Sequence, residues 1–240
     1  MPRYYPNTRF SDCWSSVGNV TFYHRDGKCY WRKKSTLKFA GTPAQLSTLE
    51  VHRRALAAWR SLDHQVQLDW NGFATRVHPR RPPFGTHGCI TGHNLFISAY
   101  HGFCTLGDEH IPTPVEYGPF PDFILGFVSA VPDGGAGLRI RCRLVMPGCS
   151  NPGRYAVLGK IQLAEAGAGC DPGLMKNVLA DVAFTTGAGP GLAEFFIQDY
   201  RTFCGLDSDR YSLHMRYLLI DRDAGYRCHW KKLSAVFSII

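Results

Sequence analysis

Two β-prone runs flank a turn in Asn19-Val-Thr-Phe-Tyr-His-Arg-Asp-Gly-Lys-Cys-Tyr-Trp-Arg-Lys-Lys34, and this segment predicts a β-hairpin. Asp26-Gly27 favours a two-residue type I′ turn, because both central residues of that turn have positive φ. A turn of this length sets the register, so that Arg25 lies opposite Lys28 and Tyr23 lies opposite Tyr30. An isolated hairpin is marginally stable in water, and we expect this one to pack on the following helices or on another subunit.

The two faces of the predicted hairpin differ, because successive side chains on a strand point to opposite sides. An apolar core face is expected from Val20, Phe22, His24, Cys29 and Trp31. The opposite face places two tyrosines among three cations and is a candidate binding face: Tyr23, Arg25, Lys28, Tyr30 and Arg32. Such a face suits an acidic partner. The alternative is a solvated face whose tyrosines reflect β propensity.

Three helices are predicted after the hairpin. Thr42-Pro-Ala-Gln45 has a capping residue, a proline at the first helical position and the glutamine of a capping box, and the helix is expected to run to about Leu62. Asp63 caps a second helix, which the prolines from Pro79 onward end. Thr91 caps a third, and Gly107 is its expected stop.

A change of period follows the proline-rich residues 112–121, which predict a linker between two domains. Beyond it the apolar residues alternate, and seven strands are expected near 123–131, 138–146, 154–163, 177–185, 193–202, 211–220 and 226–238. The predicted fold class is α+β: a hairpin and three-helix module over residues 1–111, then an immunoglobulin-like antiparallel β-sandwich over residues 122–240. The Cys-Trp-Cys spacing of antibody domains is absent from the sequence.

Three arginines alternate with apolar residues in the second predicted strand: Arg139, Arg141 and Arg143. They lie about 7 Å apart along one face and predict a positive binding strip. The alternative is that the strand is an edge strand and that its arginines protect it from aggregation.

The net charge of the 240-residue chain is +8, and most of it lies in the first half. Residues 1–118 contain 14 Lys and Arg and 8 Asp and Glu, which favours an acidic partner for this half. No secretion signal or membrane span is predicted, so synthesis in the cytoplasm is expected. No motif for a catalytic site or a cofactor is present, and we expect a non-enzymatic protein without cofactors.

The nine cysteines are scattered without a C-x-x-C pair, which favours free thiols, and those at 142 and 228 are expected in the core. A zinc site is the alternative for the densest cluster of histidines and cysteines, which lies between residues 87 and 110. Its spacing matches no zinc motif, and no metal site is predicted.

Four segments together resemble a family of uncharacterised bacterial and prophage-associated proteins. The family's hairpin has the pattern V-G-N-x-x-x-Y-x-R-x-G-x-x-Y-x-R, matched here from Val17 to Arg32, and a T-P-A-Q helix start follows it. Trp70-Asn-Gly-Phe-Ala74 and Gly92-His-Asn-Leu-Phe96 continue the match, which covers roughly residues 16–105. Ser16 stands where the family usually has glycine. The resemblance implies a phage-derived protein that is used in assembly, and it brings no activity with it.

Together these features predict a structural or assembly protein of a phage-type virion, or of another particle or filament, that docks through its basic N-terminal module. Its partners are expected to be assembly proteins, including further copies of the chain, and its final location is the assembled particle. The alternative is a nucleic-acid-binding protein of a mobile element that uses the Tyr/Arg face of the hairpin.

Overall fold

A computed structural model describes residues 15–25, 28–34, 41–77, 90–184, 190–205 and 210–239. The described part of residues 1–50 belongs to one compact unit. The described parts of residues 51–77 and 90–240 belong to a second. None of the described helices is long and apolar enough to cross a membrane.

The first unit contains a three-stranded antiparallel sheet of β1 (Ser15–Val17), β2 (Val20–Arg25) and β3 (Lys28–Lys33). Strands β2 and β3 pair from Val20↔Lys33 to Arg25↔Lys28, which confirms the predicted register. The Asp26-Gly27 turn lies outside the described residues. Strand β1 was not predicted as a strand; Gly18, at φ +57°, turns the chain so that β1 pairs with β2.

The predicted core face of the hairpin is not fully buried. Val20, Phe22 and Cys29 are half-buried, and Trp31 is 36 % exposed. The side chain of His24 lies outside the described residues. A large indole that retains this much contact with water leaves apolar area that a partner could still cover.

Three helices follow: α1 (Pro43–Ser61), α2 (His64–Ala74) and α3 (Gly92–Leu106). The capping box of α1 is formed, since the Gln45 amide donates to Thr42 Oγ1 at 3.3 Å and the Thr42 amide donates to Gln45 Oε1 at 3.2 Å. Asp63 and Thr91 cap α2 and α3 as predicted, and Gly107 ends α3 at φ 81°. Helix α2 ends at Ala74, before any proline, and the amides of Arg76 and Val77 that follow it bond three residues back instead of four.

Seven strands form the sandwich: β4 (Ile124–Asp133), β5 (Gly137–Val145), β6 (Tyr155–Glu165), β7 (Lys176–Ala183), β8 (Gly191–Ile197), β9 (Arg210–Asp221) and β10 (Lys231–Ser238). All neighbouring strands are antiparallel, in the order β10-β9-β6-β7-β8-β5-β4. The first half of β7 pairs with β6 and its second half pairs with β8, so this strand passes from one layer to the other.

One layer of the sandwich contains β4, β5, β8 and the second half of β7, and the other contains β6, β9 and β10. In chain order these are strands one, two, five and four in the first layer and strands three, six and seven in the second. That is the arrangement of an immunoglobulin constant domain. The predicted fold class is therefore confirmed. Most strand limits lie within about two residues of the prediction, and two differ by more. Strand β8 stops at Ile197, because Asp199 caps a short helix, α4 (Tyr200–Cys204), and β10 begins only at Lys231.

The main core lies between the two layers, where alternate residues of each strand point inward. In β5 the inward residues Leu138, Ile140, Cys142 and Leu144 are at most 1 % exposed. Phe195 of β8 fills the space opposite Gly159 of β6, where an added Cβ would lie 2.7 Å from its ring. Cys142 and Cys228 are both buried in the core, as predicted, and neither forms a disulfide.

A second core joins the helices to the loop between β9 and β10, residues 222–230. The Trp70 indole packs edge to face with the Tyr226 ring at 6.2 Å and with the Phe96 ring at 5.5 Å. Gly102 of α3 lies against the backbone of Gly225, whose φ is +70°. Because this loop packs against the helices, it does not pair as a strand, and β10 starts later than the alternation predicts.

The predicted linker is packed against the sandwich. The Tyr226 hydroxyl donates to the Val115 carbonyl at 2.5 Å, and Phe120 packs on the Tyr155 ring at 5.8 Å. The division of the chain therefore differs from the predicted one at residues 112–121, because α2, α3 and the sandwich lie in the same compact unit.

Candidate interaction surfaces

The Tyr/Arg face of the hairpin contains an aromatic pair with a cation beside it. Tyr23 and Tyr30 are register partners, and their rings stack at 5.7 Å and 21°. The Arg32 guanidinium lies 5.9 Å from the Tyr23 ring centre, within cation–π range. The structure thus brings together three of the five predicted side chains, since those of Arg25 and Lys28 lie outside the described residues.

The arginines of β5 do not form the predicted positive strip. Arg139 pairs with Asp133 at 2.5 Å and with Glu194 at 3.1 Å, and Arg141 pairs with Glu194 at 2.7 Å. Glu194 comes from β8, where it is the register partner of Arg141. Two of the three cations are therefore neutralised by acids that the local pattern of β5 does not reveal.

The edge-protection alternative is also wrong, because β5 lies between β4 and β8 and has no free edge. Arg143 has no ion pair among the described residues and is exposed. It lines a shallow cavity of about 380 Å³ together with Val128, Phe184 and Leu192. Of the three predicted residues, Arg143 is the cation best placed to contact a partner.

The ion pairs of β5 predict a small dependence of stability on pH. The hydrogen bond that Arg141 donates lowers the pKa of Glu194, and the bond from Arg139 adds to this shift. A lowered pKa stabilises the fold above the ordinary glutamate pKa of about 4.3, and the contribution is lost as pH falls through the folded-state pKa. The free energy of unfolding of the wild type should therefore fall in acid by up to about 1 kcal/mol more than that of Glu194→Gln, which has no carboxylate at this position.

Urea unfolding at neutral pH and at a pH below the ordinary glutamate pKa of about 4.3 measures this difference for the wild type and the variant. Glu165→Gln is the control, because Glu165 is exposed and has no ion pair among the described residues. The control should lose as much stability in acid as the wild type. An equal acid loss in Glu194→Gln and the wild type would contradict the assignment.

The outward side of the layer β4-β5-β8 is both apolar and cationic. Five large apolar residues on it are 37 to 61 % exposed: Ile124, Val128, Val131, Leu192 and Phe196. The β5 arginines lie among them, and the Arg139 guanidinium is 5.6 Å from the Phe196 ring centre. We call these five residues with Arg139, Arg141 and Arg143 the β5 outer face.

A second group of cations, which the sequence pattern did not indicate, lies on the outward side of the other layer. Arg216 of β9 is the register partner of Lys160 on β6 and of Lys232 on β10. We call these three residues the basic row. Each belongs to a different strand, so only the register of the sheet brings them together.

Within the described residues, no group of three or more histidine, cysteine or acidic residues is placed to hold a metal ion. His101 lies 3.5 Å from His52, and burial lowers its pKa, with the charge of Arg227 as the next cause. Burial raises the pKa of Cys104 and so disfavours the thiolate that binds metals. His87 and Cys89 lie outside the described residues.

No family model matches the chain, and no curated protein matches its sequence. Among solved structures, the chain is similar to AggA, the major subunit of aggregative adherence fimbriae type I from Escherichia coli. Identity is 6 % and the TM-score 0.28, over 52 % of this chain and 100 % of that one. A structure of aggregative adherence fimbriae of enteroaggregative Escherichia coli gives 8 % identity and a TM-score of 0.26, over 51 % and 100 %.

ACE19, the collagen-binding subdomain of the Enterococcus faecalis surface protein ACE, gives 5 % identity and a TM-score of 0.19, over 51 % of this chain and 99 % of that one. Similarities this weak assign no function.

Proposed function

We propose that this chain is a non-enzymatic structural protein that assembles with further copies of itself into a phage-type virion or another particle or filament. The observation that carries the proposal is the β5 outer face. In this picture the basic N-terminal hairpin supplies a second contact, and the sandwich is the repeated body of the assembly.

The composition of the β5 outer face supports a protein partner. Monomeric proteins rarely expose large contiguous apolar patches, and protein interfaces are enriched in aromatic residues and arginine. Here Phe196 and Val131 flank an Arg139 that Asp133 and Glu194 already neutralise. A paired arginine can be covered by a partner at a lower desolvation cost than a free one.

The hairpin supports the same function through a smaller surface. Tyrosine and arginine are over-represented among the residues that dominate binding energy at interfaces. Tyr23, Tyr30 and Arg32 combine both residue types in one cluster, and Trp31 on the opposite side keeps exposed apolar area. A partner subunit could therefore contact either side of the hairpin.

Sedimentation velocity over a range of concentrations tests the proposal. The wild type should sediment as species larger than a monomer, and the double variant Val131→Glu/Phe196→Glu should shift toward the monomer because it places charge in the apolar contact. Val236→Glu is the matched control: Val236 is 53 % exposed on the other layer, and this variant should assemble like the wild type. A wild type that remains monomeric at every concentration, or a double variant that assembles like the control, would overturn the proposal.

Binding of a single-stranded nucleic acid is the second candidate function, and the stacked Tyr23–Tyr30 pair beside Arg32 favours it. Aromatic stacking contributes about 1–3 kcal/mol per base, and contacts to the phosphates make the affinity fall with salt. Tyr30→Ser should therefore weaken binding of a fluorescent oligonucleotide about tenfold or more in an anisotropy titration. Arg60→Gln, an exposed cation on α1, is the control and should change little. Equal affinities for the two variants would reject this function.

A further inference from the structure

We propose that the basic row, Lys160, Arg216 and Lys232, is a binding site for a phosphate-type oxyanion. The inference is independent of the assembly function, because the row lies on the β10-β9-β6 layer and the β5 outer face lies on the other layer.

The register of the sheet places the three cations side by side. Lys232 is opposite Arg216 in the β9–β10 pair, and Lys160 is opposite Arg216 in the β6–β9 pair. Directly opposed residues have their Cβ atoms about 5 Å apart, so Arg216 and Lys232 can reach the same group, and Lys160 adds a third positive charge beside them. Arg216 and Lys160 are half-buried and Lys232 is exposed, which leaves the row open on one side.

No carboxylate neutralises the row among the described residues. The next positions on the same side of the sheet are Gln162, His214 and Ser234 in one direction and Leu158 and Leu218 in the other. Asn177 of β7 lies opposite Lys160. Like charges directly opposite each other destabilise a sheet. Glu194 offsets this repulsion for the β5 arginines, but no acidic residue offsets it for the basic row among the described residues.

A cavity of about 250 Å³ opens beside the row. It is lined by Arg216, Lys232, His214 and Ser234 of the sheet and by Cys170, Pro172 and Met175 of the loop between β6 and β7, whereas Lys160 is not part of the lining. Since a water molecule occupies about 30 Å³ in the liquid, the cavity has room for a phosphate group and several waters. Asp171, the acidic residue of this loop segment, is not part of the lining, and its Oδ1 accepts a bond from the Gly173 amide at 2.8 Å.

The polar groups around the cavity are held in fixed positions. His214 Nε2 lies 2.8 Å from the Ala168 carbonyl oxygen, which can accept but not donate, so Nε2 carries the proton. Its Nδ1 lies 3.4 Å from Ser234 Oγ. The Lys160 ammonium lies 5.4 Å from the Trp230 ring centre, and this cation–π contact holds it at one end of the row. Arginine and lysine donors positioned in this way suit the oxygens of a phosphate dianion.

Calorimetric titration with inorganic phosphate, against chloride at equal ionic strength, measures the site in the full chain. The wild type should bind phosphate, and Arg216→Gln should weaken binding about tenfold, as expected for loss of a charge-assisted bond. Thermal unfolding in chloride provides the second measurement. Arg216→Gln should melt at the same temperature as the wild type or higher, because the variant removes like-charge repulsion.

Arg60→Gln is the matched control, because it removes an exposed arginine of α1 that lies in neither proposed surface and should leave phosphate binding unchanged. A repeat titration with a single-stranded oligonucleotide separates a free phosphate or phosphomonoester from a phosphodiester backbone as the source of the group. The proposal is overturned if the wild type does not distinguish phosphate from chloride. It is equally overturned if Arg60→Gln weakens binding as much as Arg216→Gln.

Discussion

Gly102→Ala should lower the free energy of unfolding by about 3 kcal/mol, even though alanine is the better helix former. Gly102 faces the backbone of Gly225, and an added Cβ would overlap the Gly225 carbonyl oxygen. Gly225 cannot move away easily, since its own position lies against the Ala99 carbonyl and the Phe103 ring. The overlap therefore separates α3 from the loop between β9 and β10 and disturbs the core around Trp70. Urea unfolding followed by circular dichroism measures the change.

Gly72→Ala is the matched control, because Gly72 is also a helical glycine of the second unit but has open space around it. This substitution should stabilise the protein by about 0.5–1 kcal/mol, as expected from helix propensity. Opposite signs for the two glycine substitutions would establish the close approach of Gly102 to Gly225. A Gly102→Ala variant as stable as Gly72→Ala would refute it.

Phe195→Ala should lower the free energy of unfolding by about 4 kcal/mol. The ring is fully buried between the layers and packs over Gly159, so its removal leaves a cavity that the facing strand can fill only in part. Total stabilities of proteins lie near 5–15 kcal/mol, and the loss should be visible as a large shift of the urea midpoint.

Phe196→Ala is the control for this prediction. Phe196 is the next residue of β8 but is 47 % exposed on the outward side, and its removal should cost less than about 1 kcal/mol. Because a one-residue slip exchanges the two sides of a strand, this pair also tests the register of β8. Similar losses for the two phenylalanines would contradict it.

The cations on the two layers of the sandwich differ in whether an acidic residue pairs with them. This difference separates the proposed assembly surface from the proposed oxyanion site. On the β5 outer face Asp133 and Glu194 neutralise Arg139 and Arg141, which leaves a largely apolar surface suited to another protein copy. In the basic row no acid of the described residues approaches Arg216, which suits a small anion. Substitutions on one layer should therefore leave the property of the other layer unchanged.

The features that could be predicted from the sequence are those that depend on residues close together in the chain. The hairpin register follows from the length of the turn, and the helix starts follow from Thr42, Asp63 and Thr91, whose side chains bond to amides two or three residues away. The seven strands follow from the alternation of apolar and polar residues, with errors where Asp199 caps a short helix and where the loop before β10 packs on the helices. The acids that pair with Arg139 and Arg141 were missed, because strand alternation indicates which side a residue faces and not what lies beside it.

The sequence by itself determined the α+β class, the strands and their inward faces, because backbone turns, caps and a period of two act over short distances. Tertiary structure alone decided that Glu194 neutralises the β5 arginines, that Gly102 meets Gly225, and that Lys160, Arg216 and Lys232 form one row. Each of these contacts joins residues that are not neighbours in the chain. They depend on strand order, on strand register or on the packing of α3 against a loop of the sandwich, which no local pattern specifies.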